Sequence, residues 1–71
     1  MTHELDVVIE QDEEGWFIAS VPQLRGCHTQ ARSLDELMRR IEEAARLCLD
    51  VIGEVDTNVH FVGLQRMALE V

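Results

Sequence analysis

Ser33-Leu34-Asp35-Glu36-Leu37-Met38-Arg39-Arg40-Ile41-Glu42-Glu43-Ala44-Ala45-Arg46-Leu47-Cys48-Leu49-Asp50-Val51-Ile52-Gly53 decides the fold of this chain. Ser33 and Glu36 have the spacing of a capping box: the serine accepts from the backbone at Glu36, and the glutamate reaches back. Leu34, Leu37, Met38, Ile41, Ala45, Cys48, Leu49 and Ile52 then fall on one side of a helix turning roughly 100° per residue. Asp35/Arg39, Glu36/Arg40 and Glu42/Arg46 are acid-first i,i+4 pairs, the favourable order. Gly53 supplies the left-handed residue that ends such a helix. The spacing therefore predicts one long helix over residues 34–52.

Upstream, the period changes from 3.6 to 2. Leu5, Val7 and Ile9 alternate with Asp6, Val8 and Glu10, which reads as a half-buried strand. Gln11-Asp12-Glu13-Glu14-Gly15 is a polar turn ending in glycine. Trp16-Phe17-Ile18-Ala19-Ser20-Val21 is a second strand, ended by Pro22. Gln23 to Gly26 forms a loop, and Cys27-His28-Thr29-Gln30-Ala31 a short third strand. Downstream of Gly53, residues 54–58 are a polar connection, and Val59 to Gly63 reads as a strand or an extended loop. Arg66 to Val71 alternates again, with Met67, Leu69 and Val71 on one face, and is expected to return as a last strand. The fold class is α+β, in the order β-β-β-α-β: one antiparallel or mixed sheet with a single long helix on one face. The 71 residues are enough for a single domain spanning 1–71.

One helix covers only one face of a sheet. Yet the second strand carries large apolar groups on both, Trp16 and Ile18 on one and Phe17 and Val21 on the other. Leu47 and Val51 lie well off the main helical stripe. Trp16, Phe17, Ile18, Leu47 and Val51 are accordingly the candidate partner-binding residues. Size scaling gives roughly 60% of the extended surface buried on folding, a marginal core for a domain of this size. A homodimer is expected, through the open sheet face, an edge strand or the Leu47/Val51 patch.

Fourteen acids face six bases, all arginine, for a formal net charge of −8. Such a chain repels nucleic acid and meets basic partners faster. No stretch is apolar over the length of a membrane span, and Met1-Thr2-His3-Glu4 does not open a signal peptide. A soluble, cytoplasmic setting is expected, with Cys27 and Cys48 serving as small apolar residues.

No catalytic, metal or cofactor site is expected. Cys27 and His28 are adjacent in a strand and point to opposite faces, so they share neither a metal nor a nucleophile–base role. His3 and His60 stand alone. A metal-dependent nuclease needs carboxylates that converge on an ion. Asp6 is the natural nucleus for one, while Asp12, Glu13 and Glu14 sit in a turn and the helix acids are used in capping and pairing.

From Asp12 to Leu49 the chain resembles the HicB-like antitoxin family. The matching pieces are Glu14-Gly15-Trp16-Phe17, then Val21-Pro22-Gln23-Leu24-Arg25-Gly26-Cys27-His28-Thr29-Gln30. Ser33-Leu34-Asp35-Glu36-Leu37, Ile41-Glu42-Glu43-Ala44 and Leu47 follow. The resemblance implies a degraded ribonuclease-H-like fold without nuclease activity. Its function would be to bind a small basic messenger-RNA-cleaving toxin and block its active site. Full antitoxins of the family carry a C-terminal DNA-binding segment. This chain ends at Val71, directly after the expected last strand, so operator binding does not follow from the resemblance. Two rival readings stand beside it: an orphan structural or interaction subunit, and a residual metal-dependent ribonuclease. A neighbouring short basic reading frame favours the antitoxin over the first. Carboxylates converging with Asp6 would favour the second.

Overall fold

A computed structural model of the chain describes residues 4–53 and 60–70. Three strands, β1 (Val8–Gln11), β2 (Phe17–Ser20) and β3 (His28–Ala31), precede one helix, α1 (Leu34–Ile52). The sheet is antiparallel in the order β1-β2-β3, with Gln11 opposite Phe17 and Phe17 opposite Ala31.

Side-chain hydrogen bonds to the backbone set where the strands begin and end. The Asp12 carboxylate accepts from the Glu14 and Trp16 amides, both at 2.9 Å, and the Asp12 amide donates to the Trp16 carbonyl at 3.0 Å. This closed loop takes Trp16 out of the ladder, so β2 starts at Phe17. Val21-Pro22-Gln23-Leu24 makes a first turn, in which the Leu24 amide donates to the Val21 carbonyl at 3.0 Å. Leu24 to Cys27 makes a second, with Gly26 at φ 76°, the left-handed third position that a type II turn demands. The pair of turns buries Leu24 and carries the chain away after Ser20, the partner of Val8. Leu5, Asp6 and Val7 therefore have no strand to pair with, and β1 is shorter than the alternation from Leu5 suggests. Gln23 anchors them instead. Its buried amide donates to the Asp6 carboxylate at 2.6 Å and accepts from the Asp6 amide at 3.4 Å.

The helix has the bounds that its caps dictate. Ser33 Oγ accepts from the Glu36 amide at 3.2 Å, and the Gly53 amide donates to the Leu49 carbonyl at 2.7 Å with Gly53 at φ 84°. Only half of the capping box closes. The Glu36 side chain turns to Arg40 at 2.7 Å rather than back to Ser33. Glu42 and Arg46 also pair, at 2.9 Å, whereas Asp35 and Arg39 do not. At these exposures the pairs contribute only about 0.3–0.5 kcal/mol each.

Ala19, Val21, Leu24, Cys27, Ala31, Leu37, Ile41 and Ala45 form the core, with Leu5, Val7, Phe17, Ala44, Cys48 and Leu49 packed around it. The helix lies over β3 and β2 and leaves β1 uncovered. Ile9, on the helix side of β1, is exposed for that reason. Leu34 and Met38, at the edges of the expected stripe, are exposed as well.

The expected last strand does not form. Residues 60–70 contain neither helix nor strand, and every one of them is exposed. Val71 and residues 54–59 lie outside the described residues. Alternation at Met67 and Leu69 marks a segment suited to a sheet, but a strand exists only where another backbone accepts it. Among the described residues of the single chain none does.

Candidate partner-binding surface

The register divides the side chains between two faces. Ile9, Ala19 and Thr29 share the helix face with Gln11, Phe17 and Ala31. Val8, Ser20 and His28 share the open face with Glu10, Ile18 and Gln30. Trp16, preceding Phe17, and Arg32, following Ala31, extend the open face at one end. There the Arg32 guanidinium carbon stacks 3.9 Å from the Trp16 ring centroid, while its Nη1 donates to the Glu14 carbonyl at 3.1 Å. This stack half-covers the indole, a cation–π contact on top of hydrophobic cover.

The five candidate partner-binding residues therefore do not form one site. Trp16 and Ile18 stand together, half-buried, on the open sheet face. Phe17 points the other way and packs against the core. Leu47 and Val51 are exposed on the helix flank that faces β3, in the same row as Arg40 and Ala44. Arg40 on that row donates to the Gln30 carbonyl at 2.9 Å. The Trp16–Arg32 stack could not be read from the sequence, since the two residues meet only through the β2–β3 register.

Apart from Arg32 on the indole, acids dominate the charge near Trp16 and Ile18. Residues 4–14 hold six acids and no base. Glu10 sits beside Ile18 on the open face, and Asp12, Glu13 and Glu14 form the exposed hairpin tip. The arrangement is an apolar centre flanked by a negative rim, which attracts a basic surface and desolvates an aromatic anchor when one docks.

The model of the HicB-like antitoxins of bacterial toxin–antitoxin systems matches residues 5–66. This chain belongs to that family. Its relatives include a UPF0150 protein of Archaeoglobus fulgidus, 52% identical over 59 residues that make up 83% of this chain and 84% of the relative. A UPF0150 protein of Synechocystis is 42% identical over 66 residues, 93% of this chain and 94% of the relative. One from Thermotoga maritima is 33% identical over 64 residues, 89% of this chain and 85% of the relative.

In this HicB-like chain the acids do not assemble around Asp6. Its carboxylate is held by Gln23, and among the described residues no group of three or more His, Cys, Asp or Glu side chains is placed to hold a metal ion. Nor is any helix among them long and apolar enough to cross a membrane. Cys27 and Cys48 are both free thiols. Burial pushes the Cys27 thiol up to about 11, aided by the hydrogen bond that its S–H donates to Cys48 and by charge repulsion with it. The folded protein thus keeps a proton that the unfolded chain releases from about pH 9 upward. Stability is expected to fall as pH rises from about 9 to about 11. Urea midpoints across that range check this, and Cys27→Ala should flatten the decline.

Proposed function

We propose that this chain is a toxin-neutralising antitoxin domain of one unit, degraded ribonuclease-H-like in ancestry. It binds a small basic RNA-cleaving protein through the open sheet face of its first hairpin. The observation that carries this reading is half-buried Trp16 and Ile18 on the open face beside Glu10 and the exposed acidic hairpin tip of Asp12, Glu13 and Glu14. Membership of the HicB-like antitoxins supports it. The acids speed encounter and set orientation, while the aromatic anchor supplies the affinity. Leu47 and Val51, on the far flank of the helix, are available to extend the contact or to serve self-association as a homodimer. The function needs neither cofactor nor catalytic residue on this chain, because the blocked active site is the toxin's.

The test is co-expression with the basic protein encoded beside it, followed by purification in low and high salt. A complex is expected at low salt, with an association rate that falls steeply as salt screens the attraction over about 8–10 Å. Two folded proteins that do not associate at low salt would remove the reading for that pair.

A further inference from the structure

The arm from His60 to Glu70 is the least satisfied part of the described chain. It is apolar at Phe61, Val62, Leu64, Met67 and Leu69, and none of these packs against the core. Val62 is 95% exposed, Leu64 and Met67 76%, and Leu69 73%. A soluble chain does not ordinarily leave so many large apolar groups in one run in water.

The fold offers a matching receptor. Because α1 leaves β1 uncovered, a groove of about 580 Å³ opens between the helix and the start of the chain. Leu5, Val7, Val21, Met38, Ile41 and Leu49 make its apolar floor and walls, with Arg39, Glu42 and Arg46 at its rim. Beside it runs the free edge of β1, Val8–Gln11, on the side away from β2. No residue of the arm lines this groove within the single chain.

We propose that the arm of one copy lies in this groove of a second copy, adds a strand to the free edge of β1, and is exchanged for the partner's arm in return. The inference rests on the self-association proposed above and gives it a contact other than Leu47 and Val51. Length suits it: eleven extended residues reach about 36 Å, and the edge of β1, four residues long, needs about 13 Å. The side-chain period suits it too, since Met67 and Leu69 fall on one face of a strand and can enter the groove together.

The exposed area suits a second copy as the occupant. The chain exposes 6112 Å², against about 4,500 Å² for a compact protein of its mass, a surplus of about 1,600 Å². Its radius of gyration is 13.7 Å where a compact domain of this length has about 11 Å. Reciprocal exchange that covered this surplus on both chains would bury about 3,200 Å² in all, within the range of obligate dimers. The arm is close to charge-balanced, unlike the acidic hairpin, so it is not the surface that a basic partner seeks.

Sedimentation and light scattering on the full chain test this against the double variant Met67→Glu, Leu69→Glu. Both positions are exposed in the single chain, so the variant should keep its helical circular dichroism. The unsubstituted chain should run at twice the 8.1 kDa of one copy. The variant should dissociate at least tenfold more readily. In a sample mixing labelled and unlabelled copies, filtered nuclear Overhauser contacts should join Met67 and Leu69 to Val7 and Leu49 of the other copy. Dimers that each carry a charge of about −8 per copy repel, so pairing should tighten as salt rises, the reverse of the toxin complex. A dimer indifferent to the double variant, or one that loosens as salt rises, overturns the arm as the contact while leaving self-association standing. Contacts confined within one chain overturn the exchange. A chain that stays monomeric at high micromolar concentration removes both, and leaves the toxin complex to be judged by its own test.

Discussion

Leu37→Ala is expected to remove about 2–5 kcal/mol of stability. Leu37 is fully buried at the centre of the helix face, against the strands that α1 covers. Truncation loses the transfer energy of the side chain and leaves a cavity that the surrounding strands cannot close. A chain of this length has a total stability of about 4–11 kcal/mol, so a single truncation there is a large fraction of the whole. Leu47→Ala, on the same helix but exposed, should change stability by less than about 0.5 kcal/mol. Urea denaturation of both variants at one protein concentration makes the comparison, since association would shift the midpoint. Equal effects at the two positions would contradict the placement of the helix.

The second large effect concerns Trp16. Trp16→Ala is expected to weaken the toxin complex by about 2 kcal/mol or more, roughly thirtyfold in Kd, because a central aromatic flanked by charges is the usual form of a hot spot. Its cost to folding should be small, since the indole is half-buried and covered chiefly by Arg32. Phe17→Ala should do the opposite, lowering stability by about 3 kcal/mol through lost core packing and affecting binding only as far as folding does. Trp16 is the single tryptophan of the chain, so its fluorescence reports docking directly. A Trp16→Ala variant that binds as tightly as the parent would move the contact elsewhere on the surface.

The helix was legible in the sequence almost to the residue, because both of its ends are written in local chemistry. Ser33 and Glu36 mark the start, and Gly53 the stop. The three strands were legible, the first from its alternation, the second from its apolar run before Pro22 and the third as a short segment after the loop, but their limits were not. Where β1 begins depends on the turns at Pro22 and Gly26, which take the partner strand away, and on the Gln23 side chain that holds Asp6. Where β2 begins depends on the Asp12 carboxylate closing the hairpin. The last strand shows the limit most clearly. Met67 and Leu69 carry the pattern of a strand, but pattern specifies a face and not a neighbour. At the candidate surface, the two-sided apolar character of residues 16–18 was visible from the start. Which of Trp16 and Phe17 faces outward was not, because that follows from which side of the sheet the helix takes. Nor could Leu47 and Val51 be placed relative to Trp16, since their separation is a product of the packing.

The central claim is that this surface silences a basic RNA-cleaving partner. The most direct measurement is RNA cleavage by the purified partner, titrated with this protein and with its Trp16→Ala variant at low salt. Cleavage should stop at one copy of the protein per toxin, and the variant should need roughly thirtyfold more free protein to reach the same inhibition. Cleavage that continues undiminished in the presence of excess folded protein would contradict the account.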